Sequence, residues 1–186
     1  MAILAGDALL TLAFEVISGA EACDANARLR VVHELSRAIG TRAGMVAGQV
    51  ADLENVESPV NPATVNFIDT AKTGALIRMA VRSGAILAGA DDAGLNAVTI
   101  YGEKAGLAFQ IADDLLDLLG SKESLGKAVG KDSSQHKATY PALYGVERSK
   151  ELAAGMVAEA CSALQAYGDR SQRLQEIAHY LVDRNS

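Results

Sequence analysis

An all-α fold is predicted by three observations. Apolar residues recur at helical spacing through most of the chain, no segment shows the apolar–polar alternation of a strand, and only three prolines interrupt 186 residues. With 49% hydrophobic residues the chain is ample for one core, so a single all-helical domain over residues 1–186 is expected. Neither an internal repeat, a low-complexity tract nor an interdomain linker stands out.

A first helix runs from Ala2 to Ser18, an apolar segment in which Asp7 should find a polar partner. A second spans 26–39, where Gly40 suits the cap conformation. A third spans 41–54, and its Gly44 and Gly48, four apart, permit close helix contact or a slot for an apolar chain. Pro59 and Pro62 mark 55–63 as a loop, after which Thr64 serves as the cap of a helix carrying Ile68, Ala71, Ala75, Leu76 and Met79 to residue 88. Asp91 and Asp92 belong to the turn 89–94 as capping residues. The next helical stretch is 106–119, broken by Gly120-Ser121-Lys122, and a flexible loop occupies 120–138. Pro141 fits the first turn of a further helix, and segments 145–167 and 171–183 read as two amphipathic packing helices.

Composition narrows the classes of function. A net charge of −6 argues against a general nucleic-acid binder and leaves room for an enzyme whose cations are gathered locally. No apolar run of about 18 residues is free of charged or polar interruption, so no membrane span is expected. The first 18 residues lack the basic start and cleavage site of a secretory signal, and a cytoplasmic location is expected. Cys23 and Cys161 read as free thiols, and His33, His136 and His179 are too scattered to gather on a metal.

The chemistry lies in Asp113-Asp114-Leu115-Leu116-Asp117. At about 100° per residue Asp113 and Asp117 share a helix face, while Asp114 points about 100° away. Leu115, Leu116, Leu118 and Leu119 would bury the other side. Mg²⁺ favours such oxygen ligands, keeps several waters and bridges one or two carboxylates to phosphates, so the ridge suits a diphosphate. Three acids in five residues also arise on solvated helix faces. The diphosphate reading gains weight from the next stretch of chain, because Gly126-Lys127 through Gly130-Lys131 brings cations that would neutralise a polyanion from a second side.

The run Phe109-Gln110-Ile111-Ala112-Asp113-Asp114-Leu115-Leu116-Asp117, with Leu125-Gly126-Lys127 and Lys137-Ala138-Thr139-Tyr140-Pro141-Ala142-Leu143, resembles the second aspartate-rich region of trans-polyprenyl diphosphate synthases. The likeness is greatest to bacterial farnesyl and geranylgeranyl diphosphate synthases. Ala2-Ile3-Leu4-Ala5-Gly6-Asp7-Ala8-Leu9-Leu10 and Lys72-Thr73-Gly74-Ala75-Leu76 are similar to two further signatures, in the family's order.

The resemblance implies an isoprenoid-synthase-type helical bundle and a Mg²⁺-dependent prenyltransferase that joins isopentenyl diphosphate to an allylic diphosphate, geranyl or farnesyl, giving a C15–C20 product. It implies Asp113 as a direct metal ligand, Asp117 as a direct or water-mediated one, and Asp114 as a third metal residue. Lys72 and Lys127 match lysines that bind the allylic diphosphate. Thr73 and Gln110 match catalytic positions near the reacting carbons, although Gln110 also reads as a bridge between helices. A homodimer is implied, formed through the helices at 2–18 and 41–54. The family's first aspartate-rich motif, its arginine pair and the basic residues for isopentenyl diphosphate are not found among these residues, so the chain resembles the C-terminal part of a synthase. The alternative expectation is a non-catalytic or complementing subunit whose partner supplies the first motif.

Overall fold

The structure, a computed structural model, describes residues 1–55, 61–125 and 139–183. In chain order it has α1 (Ala2–Ser18), α2 (Ala25–Ile39), α3 (Met45–Glu54), α4 (Pro62–Asp69), a π-helical turn (Thr70–Gly74), α5 (Ala75–Leu87), α6 (Asp92–Leu125), α7 (Tyr140–Tyr144), α8 (Val146–Ala163), a 3₁₀ segment (Gln165–Ser171) and α9 (Gln172–Asp183). No strand occurs among the described residues.

The long helix α6 is the axis of the assembly, because its sequence puts small and apolar residues on several faces at once. Tyr101, Ala105 and Ala108 pack against Val157 and Ala160 of α8, Leu164, and Ala178 of α9. The alanines let α8 come close, and the buried Tyr101 hydroxyl donates to the Leu174 carbonyl at 2.7 Å. Leu95 joins Val31 of α2 and Ile86 of α5 in a second cluster. Farther along, Ile111 and Leu115 meet Ala153 of α8.

On α5, Arg82 closes two hydrogen bonds on the Glu34 carboxylate, at 2.7 and 2.6 Å, and another on Thr99. One guanidinium thus ties α2, α5 and α6 together. The hydrogen bonding from Arg82 holds the Glu34 carboxyl below its ordinary range.

Several sequence expectations are corrected. The acidic run does not sit in a short helix broken at Gly120-Ser121-Lys122, since α6 continues to Leu125 over 34 residues. A mid-helix glycine costs only about 1 kcal/mol, which is small beside the packing along α6. Leu119 is 41% exposed rather than buried. The third helix begins at Met45, not residue 41, because Gly44 lies on the end of α2, where a Cβ would meet the Ala38 carbonyl oxygen at 2.7 Å.

The cap of α4 is Asn61, whose side chain accepts from the Thr64 amide at 2.9 Å; Pro62 then starts the helix, because proline disfavours helical backbone before it. The segment 145–167 is helical only as α8 to Ala163, and Gly168 at φ 51° turns the adjoining 3₁₀ segment. Asp7 is exposed, since α1 buries none of its residues. Asp91 caps α6 as expected, accepting from the Gly94 amide at 2.8 Å. Both cysteines are free thiols.

Candidate functional site

The site begins with an irregularity in the backbone. Between α4 and α5 the helix widens into the π turn Thr70–Gly74, which holds Lys72 and Thr73. Such turns change the direction in which consecutive side chains leave the axis, and they recur at functional sites. Here the two residues diverge onto different neighbouring helices. Lys72 reaches α3, where its Nζ lies 2.7 Å from Asp52 Oδ2. Thr73 reaches α6, where its Oγ1 donates to Gln110 Oε1 at 2.9 Å.

Two close backbone approaches lock this geometry. A Cβ on Gly48 of α3 would lie 2.7 Å from the Lys72 Cα and 2.8 Å from its Cβ. A Cβ on Gly106 of α6 would lie 2.9 Å from the Gly74 Cα. The π turn is therefore clasped between two glycines, and the expectation that Gly48 serves close contact holds. Both approaches need a residue without a side chain.

One turn beyond Gln110, its Nε2 donates to Asp114 Oδ1 at 3.2 Å. Asp114 is buried, Asp113 is half-buried and Asp117 is exposed. The three acids thus stand in three environments, and Asp114 turns to Gln110. Nearby, Asp69 of α4 is buried to 3% exposure, and Tyr140 of α7 packs against the adjoining Val65 and Ile68. Burial, followed by the charges of Asp69, Tyr144 and Asp114, pushes the Tyr140 phenol up to about 12.

Of the residues singled out from sequence, Thr73, Gln110 and Asp114 are joined by hydrogen bonds, Lys72 pairs instead with Asp52 of α3, and Asp113 and Asp117 stand on the same helix as Asp114. Lys127, Lys131, Lys137 and His136 lie outside the described residues. Sequence reasoning passed over Asp52, Asp69 and Tyr140. Asp52 stands one helical turn after Gly48, and Asp69 interrupts the apolar face of α4; both signals were present in the spacing. A separate cleft of about 750 Å³, lined in part by Arg37, Arg42, Phe67, Arg78 and Lys104, contains none of the predicted site residues.

The donor set limits the kind of metal that could bind. Among the described residues no cluster of three or more His, Cys, Asp or Glu side chains could cage an ion. Asp113 and Asp117, an i,i+4 pair of oxygen ligands, fit Mg²⁺ of the kind that keeps waters and takes the rest of its shell from phosphates.

Residues 1–181 match the family described as polyprenyl synthetase. The chain belongs to the polyprenyl synthetase family. A dimethylallyltranstransferase of Fischerella ambigua is 45% identical over 186 residues, covering 99% of this chain and 54% of that protein. Among solved structures, an FPP/GFPP synthase from Zymomonas mobilis superposes with a TM-score of 0.83 at 35% identity, covering 97% of this chain and 60% of its own. A geranyltransferase from Helicobacter pylori, complexed with magnesium and isoprenyl diphosphate, superposes with a TM-score of 0.76 at 31% identity, covering 98% of this chain and 59% of that one. These polyprenyl synthetase relatives have the all-α isoprenoid synthase fold. The chain spans little more than half the length of the relatives it matches.

Proposed function

We propose that this chain, a single all-helical domain, takes part in prenyl transfer. An allylic diphosphate, geranyl or farnesyl, loses diphosphate, isopentenyl diphosphate attacks the allylic carbon, and a proton leaves to give a C15–C20 prenyl diphosphate. The observation that carries this reading is the hydrogen-bonded series Thr73–Gln110–Asp114, set between a tethered Lys72 and the Asp113/Asp117 pair.

Each side chain has a task the geometry supports. Departure of diphosphate builds negative charge on the leaving oxygens, and Lys72, with Lys127 by family resemblance, offers fixed positive charge to it. Asp114 as a carboxylate only accepts, so Gln110 turns its amide nitrogen toward Asp114 and its oxygen toward Thr73. Thr73 then donates its proton to Gln110, and its lone pairs remain to face positive charge on the allylic carbon, while the departing proton passes to an oxygen of the released diphosphate. In this reading Asp114 orients Gln110 and Thr73 rather than acting chiefly as a metal ligand. Mg²⁺ held by Asp113, with Asp117 directly or through water, would supply further positive charge to the diphosphate. Leu76, one turn beyond Lys72 and 39% exposed, offers apolar surface for the chain of the substrate.

A homodimer in the cytoplasm accompanies this reading. The homodimer is supported by the apolar residues Ile3, Leu4, Leu9 and Leu12 exposed on α1 and by Val46 and Val50 exposed on α3; no described helix is long and apolar enough to cross a membrane.

The test is prenyl transfer by the purified chain with Mg²⁺, labelled isopentenyl diphosphate and geranyl or farnesyl diphosphate, with products resolved by length. Product that disappears in Lys72→Ala and Asp113→Ala supports the reading. A folded chain that makes no product would overturn catalysis by this chain alone and leave the complementing-subunit alternative. Mg²⁺-dependent pyrophosphate binding left unchanged by both substitutions would overturn the site itself.

A further inference from the structure

We infer that Asp52 is the positioning residue of this site: its carboxylate on α3 fixes the Lys72 ammonium before a diphosphate arrives. This rests on the reading of Lys72 as a diphosphate ligand. The two groups are 20 positions apart in sequence and lie on different helices, yet Nζ and Oδ2 are 2.7 Å apart. Their side chains are 34% and 16% exposed, so the pair is shielded enough to hold its geometry but open enough for Lys72 to meet a ligand.

The backbone explains why the contact is specific. Gly48 brings α3 against the π turn at Lys72 itself, and Asp52, four residues later, lies on the same face of α3. A lysine carries four rotatable bonds, so an untethered Lys72 would spend most of its time away from any one direction. An anchored one loses little freedom when a phosphate binds, which is how pre-organisation strengthens binding. Asp52 itself touches no substrate atom in this scheme. It acts through Lys72.

The distinguishing experiment is pyrophosphate binding by calorimetry in the presence of Mg²⁺, on the full chain and on Asp52→Asn, Lys72→Ala and the double variant. Asn keeps the size of Asp52 and removes its charge. Asp52→Asn should weaken pyrophosphate about tenfold, equivalent to about 1.4 kcal/mol, with a melting temperature near that of the parent. Placed on Lys72→Ala it should cost nothing more, because its effect passes through the lysine. Asp52→Glu should restore part of the loss.

A spectroscopic readout separates positioning from folding. The Lys72 Cε signal in ¹³C-lysine protein should be distinct from those of solvated lysines and should move toward them in Asp52→Asn. Should Asp52→Asn also unfold, Asp52→Glu, which keeps the charge, carries the comparison. Binding lowered by Lys72→Ala but unchanged by Asp52→Asn would overturn this inference alone, as would two losses that add in full. Binding unaffected by Lys72→Ala would overturn the functional reading beneath it.

Discussion

Replacing Gly48 by alanine should loosen the clasp on the π turn, and the size of the effect can be worked from the structure. The new Cβ would lie 2.7 Å from the Lys72 Cα and closer still to the Lys72 amide nitrogen, whereas ordinary contact begins near 3.4 Å, so the two backbones must separate by at least about 0.7 Å. The obstructing atoms are main chain, not a flexible side-chain tip. Overpacking of this kind costs about 1–3 kcal/mol. Against it stands the better helix propensity of alanine, about 1 kcal/mol in the interior of α3. The net expectation is about 1 kcal/mol of destabilisation, or roughly 2–4 °C in Tm for a chain of this size.

An internal control is available in Gly155 of α8, which has no foreign atom within 4 Å of its would-be Cβ. There only the propensity gain remains, so Gly155→Ala should stabilise by about 1 kcal/mol. Urea unfolding of the two variants should therefore show midpoints displaced in opposite directions, and Gly48→Ala should in addition weaken pyrophosphate by moving Lys72 from Asp52. Stabilisation of Gly48→Ala to the same degree as Gly155→Ala would refute the claim that α3 and the π turn are in enforced contact.

Other expectations concern the frame around the site. Arg82→Met should destabilise at neutral pH by leaving Glu34 without its two hydrogen bonds. Because the Glu34 pKa is lowered in the fold, its contribution is present above the ordinary value of 4.5 and is lost as pH falls through the folded one; the parent–variant gap in urea midpoints should shrink below that range. The Tyr101 phenol is pushed up to about 12, first by burial, so the unfolded chain ionises before the folded one. Stability should fall as pH rises from about 10 toward 12, and Tyr101→Phe should flatten part of that fall while losing the 2.7 Å bond to Leu174, about 1 kcal/mol at pH 7. Asn61→Ala removes the cap on the Thr64 amide and should cost about 1 kcal/mol in thermal or urea unfolding.

Much of this protein is written locally in its sequence. Helical periodicity gave the all-α class, Pro141 marked a helix start, and the Asp113–Asp117 spacing put two carboxylates on one face, because a regular helix converts spacing into direction without reference to the rest of the chain. The residues Lys72 and Gln110 were legible only through the resemblance of their motifs to the family, not through helical spacing. Boundaries that depend on partners were not. The helix through Gly120 continues, and residues 41–44 leave the helix to fold onto α2, because contacts between helices outweigh single-residue preferences.

The π turn was equally hidden, since Thr70–Gly74 carries no breaker until Gly74 and reads as one unbroken helix with its flanks. Only the packed structure decides that Lys72 turns to Asp52 while its neighbour Thr73 turns to Gln110, 37 positions away. Sequence fixes which side chains a helix presents and in what order. Which of them meet is set by how closely the backbones approach, and here that approach is governed by glycines 48 and 106 meeting main-chain atoms from distant parts of the chain.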